Sequence, residues 1–309
     1  RIIYDDFGSI NAIPPHFIKK MESIGIQTRR FNPYKPMLSV IMNDRDHRKI
    51  LVIDGRVAHT GGYNIADEYI NKKIRFGYWK DAGIRVEGEC VNSFTTMFLE
   101  MWNYINKDNA VHDEYLNPHN TFSQSEECGF VQPFCDSPLE HDDVGENLYV
   151  SIISRAKKYV YIFTPYLILG TELSHAMISA ARSGVDVRIV VPKIPDKKLI
   201  YLQTKANFRP LIEAGVRIYL YTPGFIHSKC IVADDDTAIV GTCNLDFRSM
   251  YWNFEDFVYM YRTQCIGKIK EDAIETFAVS EEVYEESTND ISFAGRLLQS
   301  ILQLFAPLL

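Results

Sequence analysis

Short apolar runs, rich in branched and aromatic residues, recur at 159–163, 187–191 and 216–221, and stretches of helical spacing separate them. Runs of this length without polar alternation predict strands covered on both faces. Their alternation with helices predicts an α/β sheet. The spacing predicts a helix over 172–183 closed by Gly184, since glycine commonly sits just past a helix end. Over 294–309, Leu297, Leu298, Ile301, Leu302, Phe305 and Leu308 form one apolar stripe. This predicts a helix too short to span a bilayer, docked on the core or lying in a lipid interface. The polar stretch 106–129, with Pro118 and little periodicity, reads as a linker between a lobe at 1–128 and a second at 129–309.

The two lobes repeat one another. Arg1-Ile2-Ile3-Tyr4 is followed by a helical stretch ending at Gly25, an apolar run at 26–31, and Gly83-Ile84-Arg85-Val86. Arg188-Ile189-Val190-Val191 is followed by a helical stretch ending at Gly215, the run at 216–221, and Phe257-Val258-Tyr259-Met260. Elements that match in order and kind predict a duplicated α/β module. If Arg1 corresponds to Arg188, the first copy lacks the helix, strand and helix that 147–187 supply to the second. The chain is therefore expected to begin inside its first repeat, as part of a longer protein, with a sheet edge left open.

The same duplication carries the chemistry. His47, Lys49 and Asp54 form a His-x-Lys-x4-Asp pattern with Gly61, Gly62 and Asn64 downstream; His227, Lys229 and Asp234 repeat it, with Gly241, Thr242 and Asn244 downstream. On a strand, each histidine projects beside its lysine, while the aspartate falls at the opposite parity and is expected to hold a turn or a buried pair. An ammonium beside a neutral imidazole suits a phosphate: lysine attracts the anion and the histidine attacks phosphorus. Asn64 and Asn244 can donate to the same oxygens. With the two halves face to face, one histidine serves as nucleophile and the other as general acid. Each histidine needs an orienting partner on its other nitrogen. Asp81 and Glu255, equivalent in the repeat and downstream of the histidine of their own copy, are the expected partners.

Composition narrows the substrate. A formal charge of −7 argues against a general nucleic-acid binder, which needs a basic surface. Cys90, Cys128, Cys135, Cys230, Cys243 and Cys265 form no C-x-x-C pair, and no carboxylate cluster suggests a metal site, so no metal or other cofactor is expected. No apolar run reaches the roughly 18 residues of a membrane span.

These motifs resemble the phospholipase D superfamily and, within it, the bacterial cardiolipin synthases. The matching stretches include Asp46-His47-Arg48-Lys49, Thr60-Gly61-Gly62-Tyr63-Asn64-Ile65, Tyr78-Trp79-Lys80-Asp81, Gly241-Thr242-Cys243-Asn244 and Asn253-Phe254-Glu255. The resemblance implies two phospholipase D-like α/β repeats packed as a pseudo-twofold pair, each a mixed sheet flanked by helices. It implies a phosphatidyltransferase that makes cardiolipin and glycerol from two phosphatidylglycerol molecules through a phosphohistidine. His47 would be the nucleophile and His227 the acid that later becomes base, within a catalytic set of His47, Lys49, Asp54, His227, Lys229, Asp234, Asp81 and Glu255. The partners would be phosphatidylglycerol and cardiolipin at the cytoplasmic face of a bacterial membrane, with an anchor in an amino-terminal part. Other enzymes of the superfamily, a phosphatidylserine synthase, phospholipase D or nuclease, are the alternatives. One departure is Asp46, where asparagine is expected before the first histidine; strand parity turns it away from the imidazole.

Overall fold

The computed structural model describes residues 1–10, 12–34, 43–110, 113–116, 129–140, 142–286, 295, 299, 302 and 303. Much of the expected linker and most of the carboxyl-terminal stripe lie outside the described residues.

The first half runs β1 (Ile2–Asp5), α1 (Asp6–Ser9), α2 (Phe17–Ser23), β2 (Thr28–Phe31), β3 (Arg45–Asp46), β4 (Leu51–Ile53), β5 (Val57–Gly61), β6 (Tyr78–Lys80), β7 (Gly83–Glu87) and α3 (Val91–Asn106). The second begins with β8 (Phe130–Asp136), α4 (Val144–Arg155), β9 (Tyr159–Phe163), α5 (Thr171–Arg182), β10 (Asp186–Pro192), α6 (Lys198–Ala206) and α7 (Phe208–Glu213). It continues through β11 (Arg217–Tyr221), β12 (Gly224–Ile226), β13 (Cys230–Ala233), β14 (Thr237–Gly241), α8 (Phe247–Tyr251), β15 (Asn253–Tyr261), α9 (Cys265–Ala278) and β16 (Ser280–Val283).

The second half builds a nine-stranded sheet in the order β16-β11-β10-β9-β13-β14-β15-β3, with β8 also pairing β15. The runs read as doubly covered strands are β9, β10 and β11, which lie parallel at its centre. Every residue of β9 is buried. Successive side chains of β10 serve opposite faces: Val187, Ile189 and Val191 join an apolar cluster with α4, α5 and α7, and Val190 joins another with α9 and α3. Gly184 and Gly215, at φ of +92° and +98°, close the preceding helices in the left-handed region.

The first half departs from this pattern. Five of its strands form two small separate sheets, β1-β2 and β4-β5-β7, and β3 and β6 pair with strands of the second half. In the second half, β9 joins the β10 side to the β13 side; the described residues contain no counterpart of it in the first. Leu51 and Ile53 on β4 are accordingly exposed. The halves interlock at two places: β3 pairs parallel with β15, and β6 pairs parallel with β12. The first-half helix α3 inserts Val91, Phe94 and Met97 into a cluster shared with Val190, Ile226 and Phe277.

Candidate active site

Both motifs sit where strand pairing stops. His47 and Lys49 follow β3, and His227 and Lys229 fill the gap between β12 and β13, so neither pair is on a strand as the parity argument assumed. The reason lies in the bonds that replace the ladder. The His47 N–H donates to the Phe254 carbonyl, but the Lys49 N–H donates to a side chain, the Asp256 carboxylate, at 3.2 Å. The His227 N–H donates to the Lys80 carbonyl of the other half at 2.7 Å. Each lysine ammonium turns back to the carbonyl of its own histidine, Lys229 at 2.5 Å.

The orienting carboxylates cross between the halves. Asp81 and Glu255 are indeed on the histidines, but each holds the histidine of the other half of the chain. His47 Nδ1 lies 2.9 Å from both carboxylate oxygens of Glu255, and His227 Nδ1 lies 2.8 Å from Asp81 Oδ2. An ionised carboxylate only accepts, so Nδ1 carries the proton and the Nε2 lone pair is free. The strand pairs set this crossing. β3 lays Asp46 beside Phe254, one residue before Glu255, and β6 lays Lys80 beside Ile226, one residue before His227.

The electrostatics favour neutral imidazoles. Burial lowers the pKa of His227 to about 3, with the Lys229 ammonium adding to the effect. Burial likewise lowers His47, against the opposing pull of Glu255. Burial alone would raise Glu255; the His47 imidazole that hydrogen-bonds it, with Lys49 and the Thr242 hydroxyl, outweighs that and holds it below the usual range. Asn253 adds a third donor at 3.0 Å. Burial pulls Lys49 down and pulls Lys229 to about 7. The charge of Lys229 reaches His47 and that of Lys49 reaches His227, so both ammonium groups bear on one site.

Glycines make the close approach possible. A Cβ on Gly62 would meet Asp81 Oδ1 at 2.2 Å and the His227 carbonyl at 2.8 Å, so the Gly-Gly segment of the first motif packs directly on the second.

The remaining expected residues are placed less uniformly. Asp234 sits in the left-handed region at the β13–β14 turn and accepts from the backbone N–H groups of Lys157, Lys158 and Tyr159, fixing the entry to β9. Asp54, at the matching β4–β5 turn, is exposed, and the described residues hold no segment equivalent to 157–159 for it to bind. No hydrogen bond joins either aspartate to an imidazole among the described residues, and Asp234 holds a turn, one of the two roles expected for it. Asn64 is exposed and donates to the Tyr69 hydroxyl at 2.6 Å; the Tyr69 ring packs edge-on against His227. Asn244 is buried, with Nδ2 on Ser249 Oγ at 3.0 Å and Oδ1 unpartnered among the described residues. A flipped amide, accepting from the Ser249 hydroxyl, would free its NH2 group. Asp46 is neutralised by Arg48 at 2.9 and 3.0 Å, away from the imidazole.

Sequence reasoning missed Asp256. It is fully buried, accepts from the Lys49 N–H and the Thr60 hydroxyl, and has its pKa raised by burial to about 6. Two consecutive carboxylates in an apolar strand, Glu255 and Asp256, were the available signal: adjacent residues serve opposite faces, so β15 offers one to each. Trp79 was quoted only as part of a matching stretch; its ring packs 5.3 Å from that of His227. Among the described residues no group of three or more His, Cys, Asp or Glu is set to hold a metal ion.

This arrangement can be compared with known proteins. A family profile described as "Cardiolipin synthase, PLD-like domain" matches residues 149–277. A cardiolipin synthase of Alkalihalophilus pseudofirmus is 37% identical across all of this chain and 61% of its own length. The chain belongs to the phospholipase D superfamily. An uncharacterized protein of Streptococcus mutans is 48% identical across all of this chain and 66% of its own length. The solved structure of a phosphatidylserine synthase from Haemophilus influenzae superposes with a TM-score of 0.70 at 15% identity, covering 100% of this phospholipase D-like chain and 80% of its own, and shows the shared fold. This chain thus spans about two thirds or less of the length of these curated relatives.

Proposed function

We propose that the chain carries the active site of a phosphatidyltransferase making cardiolipin and glycerol from two molecules of phosphatidylglycerol. The observation that carries this reading is the crossed pair of carboxylate-held histidines beside two buried lysines, together with the identity to a cardiolipin synthase. His47 Nε2 attacks phosphorus, the bond from phosphorus to the glycerol oxygen breaks, and His227 Nε2–H delivers a proton to that oxygen. The hydroxyl of a second phosphatidylglycerol then attacks the phosphohistidine, His227 takes its proton, and the nitrogen–phosphorus bond breaks. His227 is neutral in the free site; the phosphodiester anion, set between two ammonium groups, offsets their charge and lets the imidazole take up the proton.

His47 is the better nucleophile on access, since 27% of its side chain is open against 10% for His227. The phosphate ligands are Lys49 and Lys229, with Asn244 and Asn64 beside them. The charge complement comes from lysines, so turnover is expected to persist in chelator. Phospholipid substrates place the active protein at a membrane, at its cytoplasmic face on this reading; no helix among the described residues is long and apolar enough to cross one.

The test is labelled phosphatidylglycerol supplied in membranes. Cardiolipin and glycerol are expected, with His47→Ala and His227→Ala each losing at least about a thousandfold in rate. Rapid quench and peptide mass spectrometry should place the phosphatidyl group on the His47 peptide. Label on the His227 peptide reverses the roles, and phosphatidic acid or phosphatidylserine in place of cardiolipin overturns the acceptor.

A further inference from the structure

The segment 64–77, between β5 and β6, carries isoleucines that no core claims. Ile65, Ile70 and Ile74 are 106%, 71% and 80% exposed, figures that put whole side chains in water on a segment otherwise fixed in place. Asn71 exchanges hydrogen bonds with the Trp79 backbone at 2.9 and 2.6 Å, Tyr69 packs on Trp79 and His227, and Phe76 packs on Phe225. Asp67 and Glu68 lie between Ile65 and Ile70, and the basic residues Lys72, Lys73 and Arg75 gather around Ile74. Lys72 and Arg75 make only long ion pairs with Asp67 and Glu68, at 4.0 and 3.6 Å, and Lys73 extends into solvent.

A second stretch stands beside it. After β10, residues 193–199 expose Leu199 and Ile194 next to Lys197 and Lys198. Asp196 accepts from Tyr166 at 2.6 Å, its charge reaches the Tyr69 hydroxyl, and the Lys197 ammonium lies over the Tyr166 ring at 5.3 Å. Both stretches therefore flank the wall of aromatic rings around His227.

We propose that these two stretches form a rim that inserts into the interface of an anionic bilayer and sets the mouth of the site on the lipid surface. Single exposed isoleucines, with Lys72, Lys73 and Arg75 around Ile74 and Lys197 and Lys198 before Leu199, lack the contiguous apolar face that a protein groove needs. They match an interface, in which apolar tips enter the acyl boundary while ammonium groups meet anionic headgroups. The charge is local, because the chain as a whole is at −7 and is repelled by such a surface elsewhere. The proposal rests on the phospholipid reading of the site, and its test separates the two.

The 309-residue chain is sedimented with phosphatidylcholine vesicles, with and without phosphatidylglycerol, and assayed separately on a water-soluble short-chain phosphatidylglycerol. Replacing Ile65, Ile70 and Ile74 together by Ser should weaken vesicle binding by about tenfold or more. Lys72→Glu with Lys73→Glu should lose the preference for phosphatidylglycerol, by about fivefold per lysine. Thermal melting and short-chain turnover should stay at wild-type values in both. Ile24→Ser, at an exposed isoleucine far from the segment in sequence, should bind as wild type. Unchanged vesicle binding in the triple variant, an equal loss in Ile24→Ser, or no vesicle binding by the parent chain each overturns the rim. Rim-dependent binding without turnover of any phosphatidylglycerol supports the rim and removes the catalytic reading instead.

Discussion

Lys229 is 1% exposed, and its ammonium is committed to one carbonyl, so little offsets the cost of keeping it charged. Its pKa of about 7 gives anion binding a definite pH dependence. Below that value the ammonium is present and attracts a phosphodiester; above it the charge is lost. Affinity for dimethyl phosphate, whose own charge does not titrate near neutrality, should fall by about tenfold per pH unit above 7. Titration calorimetry checks this, and Lys229→Gln should bind weakly and flatten the curve. Stability moves the other way for this group. Unfolded Lys229 keeps its ordinary value near 10.5, so the unfolded chain binds more protons between about 7 and 10.5, and the cost of the buried charge is relieved as pH rises through that window. A flat wild-type binding curve across neutrality would rule out Lys229 as the titrating ligand. His47, Lys49, His227 and Lys229 were legible in the chain because the motif occurs twice. The crossing of Asp81 and Glu255 was not, because a repeat establishes which residues are equivalent and says nothing about which copy each one faces.

Legibility at the level of elements followed length. β9 and β10, with five buried residues each, and β11, with three, announced themselves as apolar runs, and Gly184 and Gly215 marked the helix ends. The pairs β3–β15 and β6–β12 involve two or three residues each, too few for any periodicity to register, yet they bring His47 to Glu255 and His227 to Asp81. Gly62 sits at this junction. Adding a methyl there must displace either the Asp81 carboxylate or the His227 backbone. Gly62→Ala is expected to destabilise the fold by about 1–3 kcal/mol and to lower kcat more than it raises KM, since what moves is the imidazole and its partner. Calorimetric melting and steady-state kinetics give both numbers. A variant with wild-type Tm and kcat would mean that the two motifs do not meet as closely as Gly62 implies.

Across the whole molecule the two halves of the chain are unequal partners. The second supplies most of the central sheet and lends the first its Glu255; the first, with five strands in two small sheets, lends back Asp81 and packs α3 into the shared core. Each histidine therefore depends on the other half of the same chain, which makes the site a property of both halves together. That dependence can be separated from an alternative in which copies exchange halves and build sites between them. If His47→Ala and His227→Ala chains are mixed and allowed to exchange, a site assembled within one chain stays dead in every combination. A site assembled between two copies regains function in mixed dimers, where one of the two sites receives both intact histidines; random exchange would then restore about a quarter of the wild-type rate. The crossed hydrogen bonds run within a single chain, so no recovery is expected at any mixing ratio, measured as phosphatidylglycerol turnover after denaturation and joint refolding.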